Sequence, residues 1–75
     1  MDLDQIKKRA LAELDAPGDP SRRIACALSS LVSDFGAEDR WHAQLMTCQT
    51  IGLMKIAAGL MDQPGMRDFI EGFNG

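Results

Sequence analysis

The stretch TIGLMKIAAGLM, residues 50–61, decides how this chain of 75 residues can fold, because it has one charged residue and two glycines. Lys55 interrupts the apolar run, which from residue 51 to 61 is about half of the roughly 20 residues that a bilayer-spanning helix needs. We therefore exclude a membrane span. A run that is apolar most of the way round predicts a helix covered on more than one side.

The length and composition favour a small helical domain. A chain of 75 residues buries only about 60% of the surface that it exposes when unfolded, so we expect marginal stability. Leu, Ile, Ala and Met prefer helices to sheets, and this chain has five methionines, one tryptophan and no tyrosine. We predict a single all-α domain over residues 1–75, either a helical hairpin or three to four helices, that forms a homodimer.

The charges and cysteines indicate the cellular setting. Eight basic and eleven acidic side chains alternate along the chain and give a net charge of -3. This balance provides no broad positive field for nucleic acid or anionic lipid. Cys26 and Cys48 are too few for a disulfide framework, and no secretory signal precedes the first predicted helix. We expect a cytoplasmic protein.

Helix-breaking residues divide the sequence into four predicted helices, at 2–15, 20–35, 37–62 and 65–73. The stretch APGDP ends the first, and Asp19 and Pro20 suit the cap and first position of the second. Gly36 ends the second helix, and the short turn after it predicts an antiparallel hairpin with the third. The stretch DQPG separates the third helix from a short amphipathic one.

The third predicted helix has two apolar faces. At 100° per residue, one stripe contains Trp41, Leu45, Cys48, Gly52, Ile56 and Gly59. The second face is the candidate dimer interface and contains Met46, Leu53, Met54, Ala57, Leu60 and Met61. Such a helix is covered either within its own chain or by a second copy, and small domains often gain stability by oligomerising. The sequence does not decide which face packs within the chain and which packs against a second copy.

Two glycines lie on the first stripe. Each internal glycine costs about 0.5 to 1 kcal/mol relative to alanine, which indicates a compensating gain. Without a Cβ, another helix can approach closely, so we predict close helix packing at Gly52 and Gly59. The alternative is that Gly52 marks a kink or break.

The sequence contains no pattern typical of catalysis. His42 is the single histidine, and neither cysteine has the spacing of a metal ligand pair. We find no nucleophile motif and no glycine-rich phosphate loop. We therefore predict that the chain is not an enzyme and has no catalytic residue, metal, cofactor or small-molecule substrate.

A helix-turn-helix-like nucleic-acid-binding protein is the strongest alternative, because two predicted helices flank the turn at Gly36. However, Glu38 and Asp39 begin the would-be recognition helix and would repel phosphates. The basic side chains of the first two helices are flanked by acids and fit a solvated face: Lys7, Lys8, Arg9, Arg22 and Arg23. We do not expect nucleic acid binding.

Residues 42–51, HAQLMTCQTI, resemble the C-terminal helix of the TraM family of quorum-sensing anti-activators, small helical dimers that bind and disable a LuxR-type transcription factor. In that family the helix lies near the chain end, whereas here a glycine-bearing extension and another amphipathic segment follow. The resemblance implies a protein-binding regulator of transcription and assigns no residue role. The shared positions are His42, Ala43, Gln44, Leu45, Gln49, Thr50 and Ile51.

We therefore predict a small regulatory protein, dimeric through its third helix, that binds and inhibits or occludes another protein such as a transcriptional regulator. Met-rich faces suit this work because thioether side chains repack around varied partners. Trp41, Phe69 and Phe73 are the aromatic candidates for contact with the partner, and each also suits closing a small core. A further hypothesis is an accessory subunit of a larger assembly.

Overall fold

A computed structural model describes residues 1–74 of the chain. These residues contain four helical units and no strand. The predicted all-α class is confirmed; Gly75, the last residue of the predicted domain, lies outside the described residues. We call the continuous helical run over 39–57 the central helix. In order, the elements are α1 (Leu3–Asp15), α2 (Pro20–Gly36), the central helix and α5 (Gln63–Glu71). The central helix comprises a 3-10 turn (Asp39–Trp41), α3 (His42–Thr47), a π turn (Cys48–Gly52) and α4 (Leu53–Ala57).

Side-chain caps define the starts of the first two helices. The Asp2 carboxylate accepts a hydrogen bond from the backbone N–H of Gln5 at 2.8 Å, and the Gln5 side chain accepts one from Asp2 at 3.1 Å. This reciprocal capping box satisfies two otherwise unpaired amides. Asp19 caps α2, and Pro20 occupies its first turn, as predicted. Both helices begin and end within one residue of the predicted positions.

The core lies where α1, α2 and α5 meet under the central helix. Its largest fully buried side chain is Phe35 of α2. The Phe35 ring centroid lies 5.9 Å from that of Trp41 and 5.1 Å from that of Phe73, so one aromatic cluster connects three parts of the chain. Helical spacing supplies the remaining core residues: Ile6, Ala10 and Leu14 from α1, Ile24, Ala27, Leu28 and Leu31 from α2, Cys48 from the π turn, and Met66 and Ile70 from α5.

The central helix is shorter and less regular than the predicted helix over 37–62. It begins at Asp39 and ends at Ala57. Within it, the backbone N–H of Leu53 donates to the carbonyl of Cys48, five residues earlier, which is the π pattern. The wider π turn accommodates one extra residue, so the faces of α4 are rotated relative to those of α3. The sequence prediction assumed a uniform 100° per residue and therefore did not include this rotation.

The helix ends early because of Gly59. This glycine has φ of +72°, a left-handed conformation that residues with a Cβ rarely adopt. The N–H of Gly59 donates to the Ile56 carbonyl at 3.1 Å, and the N–H of Leu60 donates to the Lys55 carbonyl at 2.9 Å, forming a Schellman motif. No described atom lies within 4 Å of the place where its Cβ would be. Within the described chain no other helix packs against Gly59, which acts as a helix terminator. Close packing at Gly59 against a second copy stays a prediction.

Gly52, in contrast, permits a close approach. A Cβ built at this position would lie 2.7 Å from Cδ1 of Leu28 and 3.4 Å from Cζ of Phe69. Leu28 is 3% exposed, so its side chain has little room to move away. The backbone stays helical through the π turn at Gly52, and the alternative of a break there is not observed.

Replacing Gly52 with alanine is expected to lower the free energy of unfolding by about 1 to 3 kcal/mol, because the added methyl overpacks α2 against the central helix. The measurement is chemical denaturation. The double variant with Leu28→Ala should lose less than the sum of the single changes, since removing the Leu28 side chain makes room for the methyl. If Gly52→Ala instead raises stability, as helix propensity alone predicts, the packing explanation is wrong.

Candidate protein-binding face

Large apolar side chains that face solvent cluster in one part of the chain. In the described residues, Met1 is the one such side chain outside residues 46–60. Met54 is 67% exposed, Leu60 75%, Leu53 51% and Met46 46%, and all four belong to the predicted dimer interface. We define the exposed apolar face as Met46, Leu53, Met54, Ala57 and Leu60, five of the six predicted interface residues. The sixth, Met61, is half-buried against the core.

The structure shows which apolar face of the central helix packs against the rest of its own chain. Trp41, Cys48 and Gly52 are buried, and Leu45 and Ile56 are half-buried against the core. The first stripe of the sequence pattern is therefore intramolecular, except at Gly59. The second face, except for Met61, is left uncovered by the rest of the described chain.

The end of α4 fixes the position of the most exposed member of this face. The hydrogen bond from Leu60 to the Lys55 carbonyl holds Leu60 against the last helical turn. In a Schellman motif the residue after the glycine lies beside a residue five or six positions earlier, here Met54 or Lys55. The motif therefore favours Leu60 and Met54 as neighbours on one apolar surface. Residues 46–61 contain a single charge, on Lys55.

An apolar groove of about 300 Å³ lies between α2 and the π turn with α4, and we call it the α2–α4 groove. None of its lining residues is charged, and Leu53 belongs both to its wall and to the exposed apolar face. Sequence reasoning missed the groove, although Ala25 and Ser29, small residues four positions apart on α2, are its sequence signal. The lining residues are Ala25, Leu28, Ser29, Val32, Gln49, Leu53 and Ile56.

Two of the three predicted aromatic contact residues close the core instead. Trp41 and Phe73 are each 8% exposed and contact Phe35, because a domain this small needs its large rings inside. The Arg40 guanidinium lies 4.7 Å from the centroid of the Trp41 ring system and covers it from outside. Phe69 is half-buried, with its ring edge-on to Phe73 at 5.2 Å. The exposed surface of Trp41 and Phe73 is too small for either to be an anchor in this conformation.

Two of the three basic side chains of α1, Lys7 and Arg9, are engaged within the chain. The Lys7 ammonium donates to the carbonyl of Glu71 at 2.9 Å, and Nε of Arg9 lies 3.3 Å from the buried Asp34 carboxylate. After the end of α2, Glu38 pairs with Nε of Arg40 at 2.8 Å and with the amino group of Met1. A hydrogen bond from that amino group lowers the pKa of Glu38. These contacts reduce the positive charge available to a phosphate backbone.

The two cysteines differ in environment. Cys48 is fully buried, and this desolvation disfavours the thiolate and raises its pKa to about 12, whereas Cys26 is half-buried. Among residues 1–74, we find no group of three or more His, Cys, Asp or Glu side chains placed to hold a metal ion. The same residues form no helix with the length and apolar character needed to cross a membrane.

The native chain is expected to show one reactive thiol, Cys26, while Cys48 reacts only on unfolding. Because the Cys48 pKa is raised in the folded state, the unfolded thiol ionises first, above about pH 8.5. Stability is then lost as pH rises towards 12, by up to about 1.4 kcal/mol per pH unit. Thiol-reagent kinetics and denaturation at several pH values measure both effects.

The matched controls are Cys26→Ser, which should remove the fast thiol, and Cys48→Ala, which should flatten this part of the pH dependence. Two equally fast thiols in the native wild type would contradict the burial of Cys48.

Comparison of the chain with protein-family models, with curated proteins and with solved structures found no match. The resemblance of residues 42–51 to the TraM family therefore stays a prediction. These residues form α3 and most of the π turn. Five of the seven shared positions are exposed: His42, Ala43, Gln49, Thr50 and Ile51.

Proposed function

We propose that this chain is a small regulatory protein-binding module that forms a homodimer through the exposed apolar face and binds and occludes another protein, such as a transcriptional regulator. The proposal rests on one observation, the concentration of exposed large apolar side chains in residues 46–60. Soluble monomers seldom expose a contiguous apolar patch, and such patches mark interaction sites.

The expected free energies of burial and association indicate a dimer of moderate affinity. Met46, Leu53, Met54 and Leu60 are each about half to three-quarters exposed. Burying side chains of this kind contributes on the order of 1 to 2 kcal/mol each, and both copies contribute. Association costs about 4 to 15 kcal/mol in lost freedom of motion. A gain of about 12 kcal/mol with a cost at the low end of this range leaves about 8 kcal/mol, which corresponds to a dissociation constant on the order of micromolar.

Two features support a second protein as partner. The exposed apolar face contains two methionines, Met46 and Met54, whose flexible thioether side chains allow another protein to replace the second copy on this face. The resemblance to the TraM family points in the same direction, and most of its shared positions face solvent, where a partner can contact them. The kind of partner, a transcriptional regulator, comes from that resemblance.

Affinity capture tests this part of the proposal. The tagged wild-type chain and the tagged Met54→Asp variant are expressed in parallel in the source cell. A transcriptional regulator recovered in stoichiometric amount with the wild type, and lost or reduced with the variant, is the expected result. Recovery of DNA in a salt-dependent manner, with no protein partner, would instead favour the nucleic-acid hypothesis.

A further inference from the structure

We infer that the α2–α4 groove receives Leu60 of a second copy of this chain, and that each copy of a symmetric dimer gives one Leu60 and receives the other. The inference rests on the proposed function, because it assigns positions within the dimer proposed above. It goes further by naming which apolar side chain enters which cavity.

The uncharged lining of the groove favours an uncharged occupant. Its volume is about 300 Å³, and its walls come from α2 on one side and from the π turn and α4 on the other. Aliphatic side chains such as Leu28, Val32 and Ile56 form most of its surface, and its polar members, Ser29 and Gln49, are uncharged. An aliphatic side chain therefore enters without desolvating a charge.

Leu60 is positioned to enter such a groove. It is the most exposed large apolar side chain in the described residues, at 75%. Its backbone is already held by the bond to the Lys55 carbonyl, so little chain freedom is lost when the side chain docks. The rest of the described chain leaves it uncovered.

The inference requires a self-complementary patch that contains both Leu60 and the groove. In a two-fold symmetric dimer one surface patch contacts the same patch on the second copy, so both a projecting side chain and its cavity must lie on it. Leu60 adjoins α4, and Leu53 of α4 is a wall of the groove.

The charge distribution favours a second copy on this face. Each chain has a net charge of -3, so two copies repel at a distance, yet residues 46–61 contain only the charge of Lys55. Approach through this nearly neutral stretch brings the fewest like charges together.

The exposed apolar face alone is smaller than a typical specific dimer interface. Specific dimers bury about 800 Å² per partner, contributed by roughly 20 to 30 residues a side. The exposed apolar face has five residues, which is too few on its own. Covering the groove adds Ala25, Ser29 and Val32 from α2 and extends the contact area towards that size.

A complementation experiment tests the inference. Leu60→Ala removes the projecting side chain, and Ala25→Trp fills the groove from an exposed position on α2. Each variant alone is expected to weaken the homodimer by about tenfold or more. Mixed together, the two should form a heterodimer stronger than either homodimer, because the Ala25→Trp copy keeps its Leu60 and the Leu60→Ala copy keeps an open groove. Sedimentation with one labelled copy measures the three dissociation constants.

Ala12→Trp, at an exposed position on α1, is the matched control and should leave the dimer unchanged. Circular dichroism checks that every variant folds. If Met54→Asp splits the dimer while Leu60→Ala and Ala25→Trp leave it at wild-type strength, the docking of Leu60 is wrong and the dimer proposal stands. If both single variants weaken the dimer but the mixture shows no gain, the pairing of Leu60 with the groove is also overturned. A wild type that stays monomeric overturns both proposals.

Discussion

Replacing Phe35 with alanine is expected to remove about half or more of the free energy of unfolding of the chain. The Phe35 side chain is fully buried, and its ring contacts those of Trp41 and Phe73. Truncating a buried phenylalanine removes about 3 to 5 kcal/mol, and lost ring contacts add about 0.5 to 1.5 kcal/mol. At about 0.05 to 0.15 kcal/mol per residue, the whole domain has only about 4 to 11 kcal/mol of stability.

Chemical denaturation followed by circular dichroism measures this loss. Phe69→Ala is the matched control, because Phe69 is half-buried and its ring pairs with Phe73 alone among the described ring pairs. We expect Phe69→Ala to lose less stability than Phe35→Ala and to remain folded. Equal losses for the two variants would show that the Phe35 cluster is not the centre of the core.

The second large effect is expected on association. Met54→Asp places a carboxylate on the exposed apolar face, where the proposed dimer excludes water. An unpaired charge buried in an interface costs several kcal/mol, so the dissociation constant is expected to rise by about a hundredfold or more. Because Met54 is 67% exposed in the single chain, the stability of the monomer should change by only about 0.5 kcal/mol.

Sedimentation velocity over a dilution series separates these two effects. Ala12→Asp adds the same charge at an exposed position of α1, away from the face, and is expected to associate like the wild type. A Met54→Asp variant that dimerises as strongly as the wild type would exclude this face as the interface.

Most of the secondary structure could be predicted from local signals. Pro20 after Asp19 and the capping pattern at Asp2 have backbone consequences within one turn, so the starts of α1 and α2 follow from the residues themselves. The end of the central helix was missed because a glycine on an apolar stripe suits both close packing and a left-handed terminator. Gly52 does the first and Gly59 does the second, and only the surrounding backbone distinguishes them.

The candidate site was predictable in part. Helical spacing separates the stripe of Trp41 and Cys48 from the face of Leu53 and Met54, and the structure buries the first and exposes the second. Spacing alone does not say which face the chain covers, because that depends on where α2 and α5 cross the central helix. The same crossing creates the α2–α4 groove and draws Trp41 and Phe73 towards Phe35, so tertiary packing determined what the sequence left open.

The molar mass of the wild-type chain in solution, measured by sedimentation equilibrium from sub-micromolar to high micromolar concentration, tests the proposed dimer most directly. The exposed apolar face predicts a mass that rises with concentration from 8.2 kDa towards twice that value, with a midpoint on the order of micromolar. A single species of 8.2 kDa across the whole range would contradict it.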